Sequence, residues 1–176
     1  MEYAYHLKLV EPGGSGFRDV TGLAQSVTWS GDAKQIARTL SAGLAVPRDG
    51  SVEAPNLAEG VALILEQAGK VRFTGQLTQC STSSQTVVAD LSALDGGRFL
   101  AGNEGFYRFD NVTPEAAVAA MCRDFGILTG TLAPTGISVR RKFPGVALDK
   151  IVTTLYTLAG EQTGKRYLPR ITGDGR

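Results

Sequence analysis

His6 is the sequence's only histidine, and Cys80 and Cys122 are its only cysteines. One imidazole cannot build a paired-histidine metal site, and the two cysteines fit no Cys-x-x-Cys ligand or redox spacing. Both are expected as reduced thiols buried as small apolar residues, with His6 pointing off an amino-terminal strand. The segment Gly160-Glu161-Gln162-Thr163-Gly164-Lys165-Arg166 approaches a phosphate-binding loop. It places three residues between its glycines, and Arg166 stands where a magnesium-binding hydroxyl is required. It is read instead as a helix exit. Gly13-Gly14-Ser15-Gly16-Phe17 fails as a nucleophile elbow because Phe17 replaces the closing glycine. Asp90, Asp95, Glu104 and Asp110 show no spacing that calls for general acid-base work, and are read as solvated loop acids. Arg140-Arg141-Lys142, between Val139 and Phe143, has the composition to touch phosphate. The competing reading is a solvated edge whose charges discourage strand pairing. No catalytic residue, metal ligand or cofactor is expected.

The bulk properties point the same way. Eighteen basic and seventeen acidic residues leave a net charge of +1, so no overall field gathers nucleic acid or anionic lipid. Sequence-specific nucleic-acid binding is not expected. An apolar content of 43% in 176 residues is enough for a real core in one domain or two small ones. The longest apolar run, Val61 to Leu65, is too short to enter a bilayer as a span. The opening MEYAYHLKLV has no basic region, apolar signal core or cleavage site, so membrane insertion is not expected and folding is placed in a cytoplasm.

The elements that would position these residues change character along the chain. Tyr3, Tyr5, Leu7 and Leu9 alternate with polar neighbours as a strand, ending at the turn from Glu11 to Gly16. Val61 to Gln67 forms another strand, and Ala68-Gly69-Lys70 turns it into Val71 to Ser81. Gly75 lies inside that strand, which marks a bulge or a close backbone approach. Ser81 to Gln85 then turns the chain into Thr86 to Leu91. Short strands at this spacing predict a small antiparallel barrel or sandwich. Further on, Thr113-Pro114-Glu115 is a helix start, followed by an apolar stripe of Val118, Met121, Cys122 and Phe125 and a stop at Gly126. Leu148, Ile151, Val152, Leu155 and Ala159 predict a second helix broken near Gly160, and Lys165 to Ile171 returns to an extended pattern. The expected fold class is α+β: a mainly antiparallel, barrel-like domain over residues 1–110 with a long hairpin, then a small α/β module with two helices over 111–176.

The stretch VTWSGDAKQIARTLSAGLAV, Val27 to Val46, supports two patterns. A helix would align Ala33, Ile36, Ala37, Leu40 and Leu44, with Asp32 as cap. A strand would align Ile36, Leu40, Ala42, Leu44 and Val46, interrupted by Arg38. Periodicity alone leaves both open.

Four blocks carry a resemblance that bears on this choice. They are Trp29-Ser30-Gly31-Asp32 with Gln35, Ala37, Arg38 and Leu40; Arg72-Phe73-Thr74-Gly75; Thr113-Pro114-Glu115 through Cys122-Arg123-Asp124-Phe125-Gly126-Ile127; and Gln162 to Tyr167 through Arg170. In order and spacing they resemble the XkdQ/YqbQ proteins of phage-like elements, in which the W-S-G-D turn joins two long strands. The resemblance implies the hairpin. It also implies a structural hub of a contractile tail baseplate: a trimeric ring of tube-like β domains between tail tube and central spike, with tape-measure protein in the lumen. The implied partners are further copies of the chain, the spike, the tail tube and other baseplate proteins, and the implied location is the virion after assembly in a host cytoplasm. Family members continue past the block ending at Arg170 into a further β domain, whereas this sequence ends at Ile171 to Arg176. It is therefore expected to lack that domain, or to be a fragment of a longer hub.

Trp29, Ser30, Gly31, Asp32, Arg38, Phe73 and Gly75 are the motif and candidate interface residues. Arg38, on an otherwise apolar strand face, needs a partner if buried, unless it reaches solvent at a barrel rim. A peptidoglycan-interacting or hydrolytic tail protein is the alternative, although no acid pair suited to glycosidic cleavage stands out.

Overall fold

The computed structural model describes residues 4–10, 16–32, 35–46, 53–82 and 87–175. Tyr3, the turn residues Glu11 to Ser15, Ala33 and the segment Ser83 to Thr86 lie outside these. The chain divides into two compact units. The first comprises Met1–Asp32, Arg38–Asp95 and Thr172–Gly175, and the second Ala33–Ala37 and Gly96–Ile171. The passage from one to the other after Asp95 precedes the boundary at residue 110 drawn from the sequence.

The first unit is built from β1 (Tyr5–Val10), β2 (Phe17–Asp19), β3 (Ala24–Gly31), β4 (Arg38–Ala45), β5 (Ala62–Gln67), β6 (Lys70–Thr82) and β7 (Val88–Asp95). They form one seven-stranded sheet in the order β2-β1-β5-β6-β7-β4-β3. Every neighbouring pair is antiparallel. The β5–β6 turn places Ala68 and Gly69 at φ 51° and 70°, the paired positive angles of a tight hairpin turn that matches strand twist.

The Val27–Val46 stretch is a hairpin, with Trp29 opposite Leu40 and Gly31 opposite Arg38. Strand geometry prevails because Leu40, Ala42 and Leu44 then join one buried cluster with Leu7, Leu63, Phe73 and Leu91. Fully burying a leucine or phenylalanine side chain stabilises by about 1.5–3 kcal/mol. Ile36 drops out of the strand pattern and packs instead in the core of the second unit. The sheet supplies most of this buried cluster from its own strands. Its end strands β2 and β3 do not pair with each other, so the barrel-like unit is open and not closed.

The second unit contains α1 (Gly97–Gly102), β8 (Glu104–Val112), α2 (Pro114–Asp124), β9 (Val139–Ala147) and α3 (Leu148–Thr163), with β8 and β9 forming a two-stranded sheet. The sequence suggested two helices, and α1 is the addition. It is short, and Gly97 admits the close approach of Ala37 of the same unit: a Cβ there would lie 2.6 Å from the Ala37 backbone. α2 starts as expected, with the Thr113 hydroxyl accepting from the Ala116 N–H at 3.4 Å and Pro114 following. Val118, Met121 and Cys122 are buried, but Phe125 is exposed. It is the residue after the helix, and Gly126 at φ 66° turns the chain away.

In α3 the stripe Leu148, Ile151, Val152, Leu155 and Ala159 is buried as anticipated. The helix runs through Gly160 to Thr163, and the left-handed Gly164 ends it by donating its N–H to the Gly160 carbonyl at 2.8 Å. The lookalike phosphate loop is therefore a helix end with a glycine cap. Residues 165–171 are in neither sheet.

Candidate interaction site at the hairpin turn

β4 begins at Arg38, in phase with Leu40, Ala42 and Leu44 on the inner face. β7 brings Ala89, Leu91, Ala93 and Asp95 to its buried face. Thr39 pairs with Leu94, which puts the side chains of Arg38 and Asp95 at the same end of the two strands. The Arg38 backbone N–H donates to Asp95 Oδ1 at 3.1 Å, and its Nε donates to Oδ2 at 2.9 Å. The Asp95 side chain is fully buried and that of Arg38 is 16% exposed. A charge-assisted pair in such a setting is strong and directional.

Arg38 has further contacts in the same unit. Its guanidinium carbon lies 5.2 Å from the centre of the Trp29 ring, within range of a cation-π interaction. Its Nη2 donates to the Thr172 carbonyl at 3.4 Å. Its aliphatic stem lies over Gly31, where a Cβ would come within 2.9 Å of Arg38 Cγ. The glycine of the W-S-G-D turn is thus required by the arginine opposite it.

Gly75 completes the cluster from the other side, paired with Asp95 across β6 and β7. A Cβ on Gly75 would lie 2.5 Å from the Phe73 ring and 2.6 Å from the Leu94 carbonyl oxygen. The close approach, not a bulge, explains this strand glycine. Next to it the Thr74 hydroxyl donates to the Gly173 carbonyl at 2.8 Å. Gly173 lies so close to the Val71 carbonyl that no side chain fits there.

Of the residues singled out from the sequence, Trp29, Gly31, Arg38 and Gly75 therefore converge. Ser30 is exposed within β3 opposite Thr39, and Asp32 is exposed just past the strand end. Trp29, Ser30 and Gly31 thus belong to the strand and not to the expected turn. Phe73 is core, fully buried. Trp29 is 43% exposed, with its ring outside the barrel-like core. Asp95, taken from sequence as a solvated loop acid, is the buried anchor of the cluster. Its phase with Ala89, Leu91 and Ala93 was the available signal. Nothing in the sequence pointed to Thr172 and Gly173.

The remaining chemical groups are dispersed. His6 Nδ1 lies 3.1 Å from Asp19 Oδ2 at the surface. Burial raises the Asp19 pKa, but hydrogen bonds from the Thr21 hydroxyl and N–H and from His6 outweigh it and leave the carboxyl below its ordinary value. Asp90, Glu104 and Asp110 are exposed. Cys80 and Cys122 are free thiols, both pushed up by burial, with Asp90 adding to the rise at Cys80. Among the described residues, no group of three or more His, Cys, Asp or Glu side chains is placed to hold a metal ion.

The hairpin, the buried aspartate and the returning segment at Thr172 all lie within residues 27–174, which match the pattern of the YQBQ-like family. The chain belongs to the YQBQ-like family. Its relatives include the phage-like element PBSX protein XkdQ of Bacillus subtilis (strain 168), 26% identical over 152 residues that cover 82% of this chain and 44% of XkdQ. The YqbQ protein of the same organism is 24% identical with the same coverage. The YQBQ-like fold is shared with the 43 kDa tail protein of prophage MuSo2 from Shewanella oneidensis, at a TM-score of 0.74 and 16% identity over 98% of this chain and 51% of that one. It is shared also with a tail protein from Neisseria meningitidis MC58, at a TM-score of 0.69 and 15% identity over 98% of this chain and 49% of that one. The chain thus spans about half the length of the proteins it matches.

Proposed function

We propose that this YQBQ-like chain is a structural component of a phage or phage-like contractile tail, part of a baseplate hub ring that links the tail tube to the central spike. The fold it shares with two tail proteins and its kinship with a phage-like element protein support the tail setting.

The observation that carries the ring is the β3 edge. Its eight residues, AQSVTWSG, contain no charge and no proline, and among the described residues β3 has a neighbour on one side only. Edges are normally blunted by charge, proline, brevity or a bulge, of which β3 has only the irregularity between Ala24 and Ser26 at its start. The opposite edge, β2, follows that rule with three residues that include Arg18 and Asp19. An uncharged edge on one flank alone suits strand addition from a neighbouring chain. In a closed threefold ring the contact is heterologous, so each copy's β3 edge receives a strand from a different surface of its neighbour, and the ring leaves a lumen for tape-measure protein. The chain acts by contact and not by catalysis, as a virion component assembled in the host cytoplasm.

Co-expression with tail tube, spike and tape-measure proteins, followed by particle imaging, tests this. The expected result is a ring containing the chain, lost in a Gln25→Lys/Thr28→Lys variant whose melting is unchanged. A chain that stays monomeric with every tail partner, or that releases dye from labelled cell walls, overturns the reading.

A further inference from the structure

The basic run Arg140-Arg141-Lys142 gains a fourth cation in the folded chain. β8 and β9 pair Arg108 with Lys142, Phe109 with Arg141 and Asp110 with Arg140. Arg108, Phe109, Arg140, Arg141 and Lys142 line an open cleft of about 520 Å³. Only Arg140 has a carboxylate partner among the described residues, Asp110 at 3.0 Å, and that pair is solvent-exposed. Like charges facing one another across a strand pair destabilise it, so sheet stability does not account for Arg108 opposite Lys142. Both strands of this two-stranded sheet carry a free edge that charges protect, but edge protection does not call for two like charges directly opposite one another.

A second feature lies on the same strand. Phe106 is 83% exposed, yet its ring has a seat. A Cβ on Gly145 would lie 3.1 Å from the ring, and Gly145 holds φ at 64°. A bulge between Gly105 and Tyr107 sets Phe106 out of the regular ladder. An aromatic ring braced in the open beside an arginine cluster has the makeup of a protein-interface anchor.

We propose that the β8–β9 sheet docks an acidic protein segment, its carboxylates in the cleft that Arg108, Arg141 and Lys142 line and an apolar side chain against Phe106. Guanidinium groups present paired donors to carboxylates. The distribution of acids on the sheet favours a protein over a nucleic acid. Glu104 and Asp110 are exposed on β8 on either side of Arg108, so the positive ground is short and bounded. A continuous phosphate backbone would run on past these acids, while a local cluster of carboxylates need not. The net charge of +1 also supplies no wider attraction for a polyanion.

The test is fluorescence anisotropy of the full chain with a labelled peptide of alternating glutamate and leucine, beside a single-stranded oligonucleotide of equal charge. The peptide is expected to bind saturably, and the Arg108→Gln/Arg141→Gln/Lys142→Gln variant to lose about tenfold in affinity through lost charge pairing. A Lys70→Gln/Arg72→Gln variant, which removes an exposed basic pair on β6, is expected to bind as the unaltered chain does. Amide shifts on titrating the unaltered chain are expected to cluster in residues 104–110 and 139–145, so the proposal does not depend on variants that fold. Equal loss in both variants, shifts centred elsewhere, or tighter binding of the oligonucleotide would overturn it.

Discussion

Arg38 engages both carboxylate oxygens of Asp95, one through its backbone N–H and the other through its guanidinium, at 3.1 and 2.9 Å. The same side chain reaches the Thr172 carbonyl. Asp95, Arg38 and Thr172 are the residues at which the chain leaves or re-enters the first unit. One arginine therefore joins three points of the first unit that are far apart in sequence.

Removing both members of this pair should cost less than the two single removals added together. Asp95→Leu leaves the Arg38 charge largely buried without its partner, and is expected to destabilise by about 3 kcal/mol, the lower end for breaking a buried pair. Arg38→Met combined with Asp95→Leu removes both charges and should cost less than the sum of the single changes. Urea denaturation of the four proteins measures the coupling, and additive losses would show that the two side chains act independently.

Trp29 should behave as a surface residue tied to Arg38. Burial in a barrel core would have made Trp29→Ala cost about 3–5 kcal/mol. With the ring 43% exposed, the expected loss is about 1 kcal/mol, from partial burial and the cation-π contact. Fluorescence checks the geometry: a small neutral quencher should reach Trp29 in the folded protein, and Arg38→Ala should change its emission. A ring shielded until unfolding would contradict the placement.

Glu115 gives the second unit a pH-dependent contribution. Its carboxylate, in the first turn of α2, accepts from the Thr135 hydroxyl at 2.9 Å and the Thr135 N–H at 3.3 Å. Burial raises its pKa, but these bonds and those within the turn outweigh it and hold the group below its ordinary 4.5. A folded pKa below the unfolded one means stability present above the unfolded value and lost as pH falls through the folded one. Glu115→Gln should therefore melt lower than the unaltered chain near neutrality, and the gap should close below pH 4.5. A gap independent of pH would assign the effect to shape instead of charge.

β1, β5, β6, β7 and the two longer helices were legible because each carries a regular apolar period over several residues, whereas β2, β8 and β9 were not singled out. The hairpin was not decided by period, since Ile36, Leu40 and Leu44 satisfy a helix and a strand alike. What settles it is tertiary: Leu40, Ala42 and Leu44 find the inner face of a sheet, while Ile36 goes to the other core. Asp95 was misread because an acid after an alternating run looks like the start of a loop, and its partner lies 57 residues away. α1 was too short to show a period. The cleft of the second unit was half visible, as Arg140 to Lys142, but Arg108 joins it only through strand register.

Gly75 tests how much of the site depends on close backbone packing. A methyl group there meets the Phe73 ring at 2.5 Å and the Leu94 carbonyl oxygen at 2.6 Å. The ring can move, but the carbonyl belongs to β7 one residue before Asp95 and cannot yield without shifting the ion pair. Gly75→Ala is therefore expected to cost about 1–3 kcal/mol, the usual range for overpacking, although alanine suits a strand no worse than glycine does. Adding Phe73→Leu should return only the part owed to the ring. Denaturation midpoints of the three variants separate the two contributions. Full recovery in the double variant would mean that β7 is not held as tightly as the Arg38–Asp95 geometry requires, whereas incomplete recovery with a weakened Arg38–Asp95 coupling would place Gly75 among the residues that seat the pair.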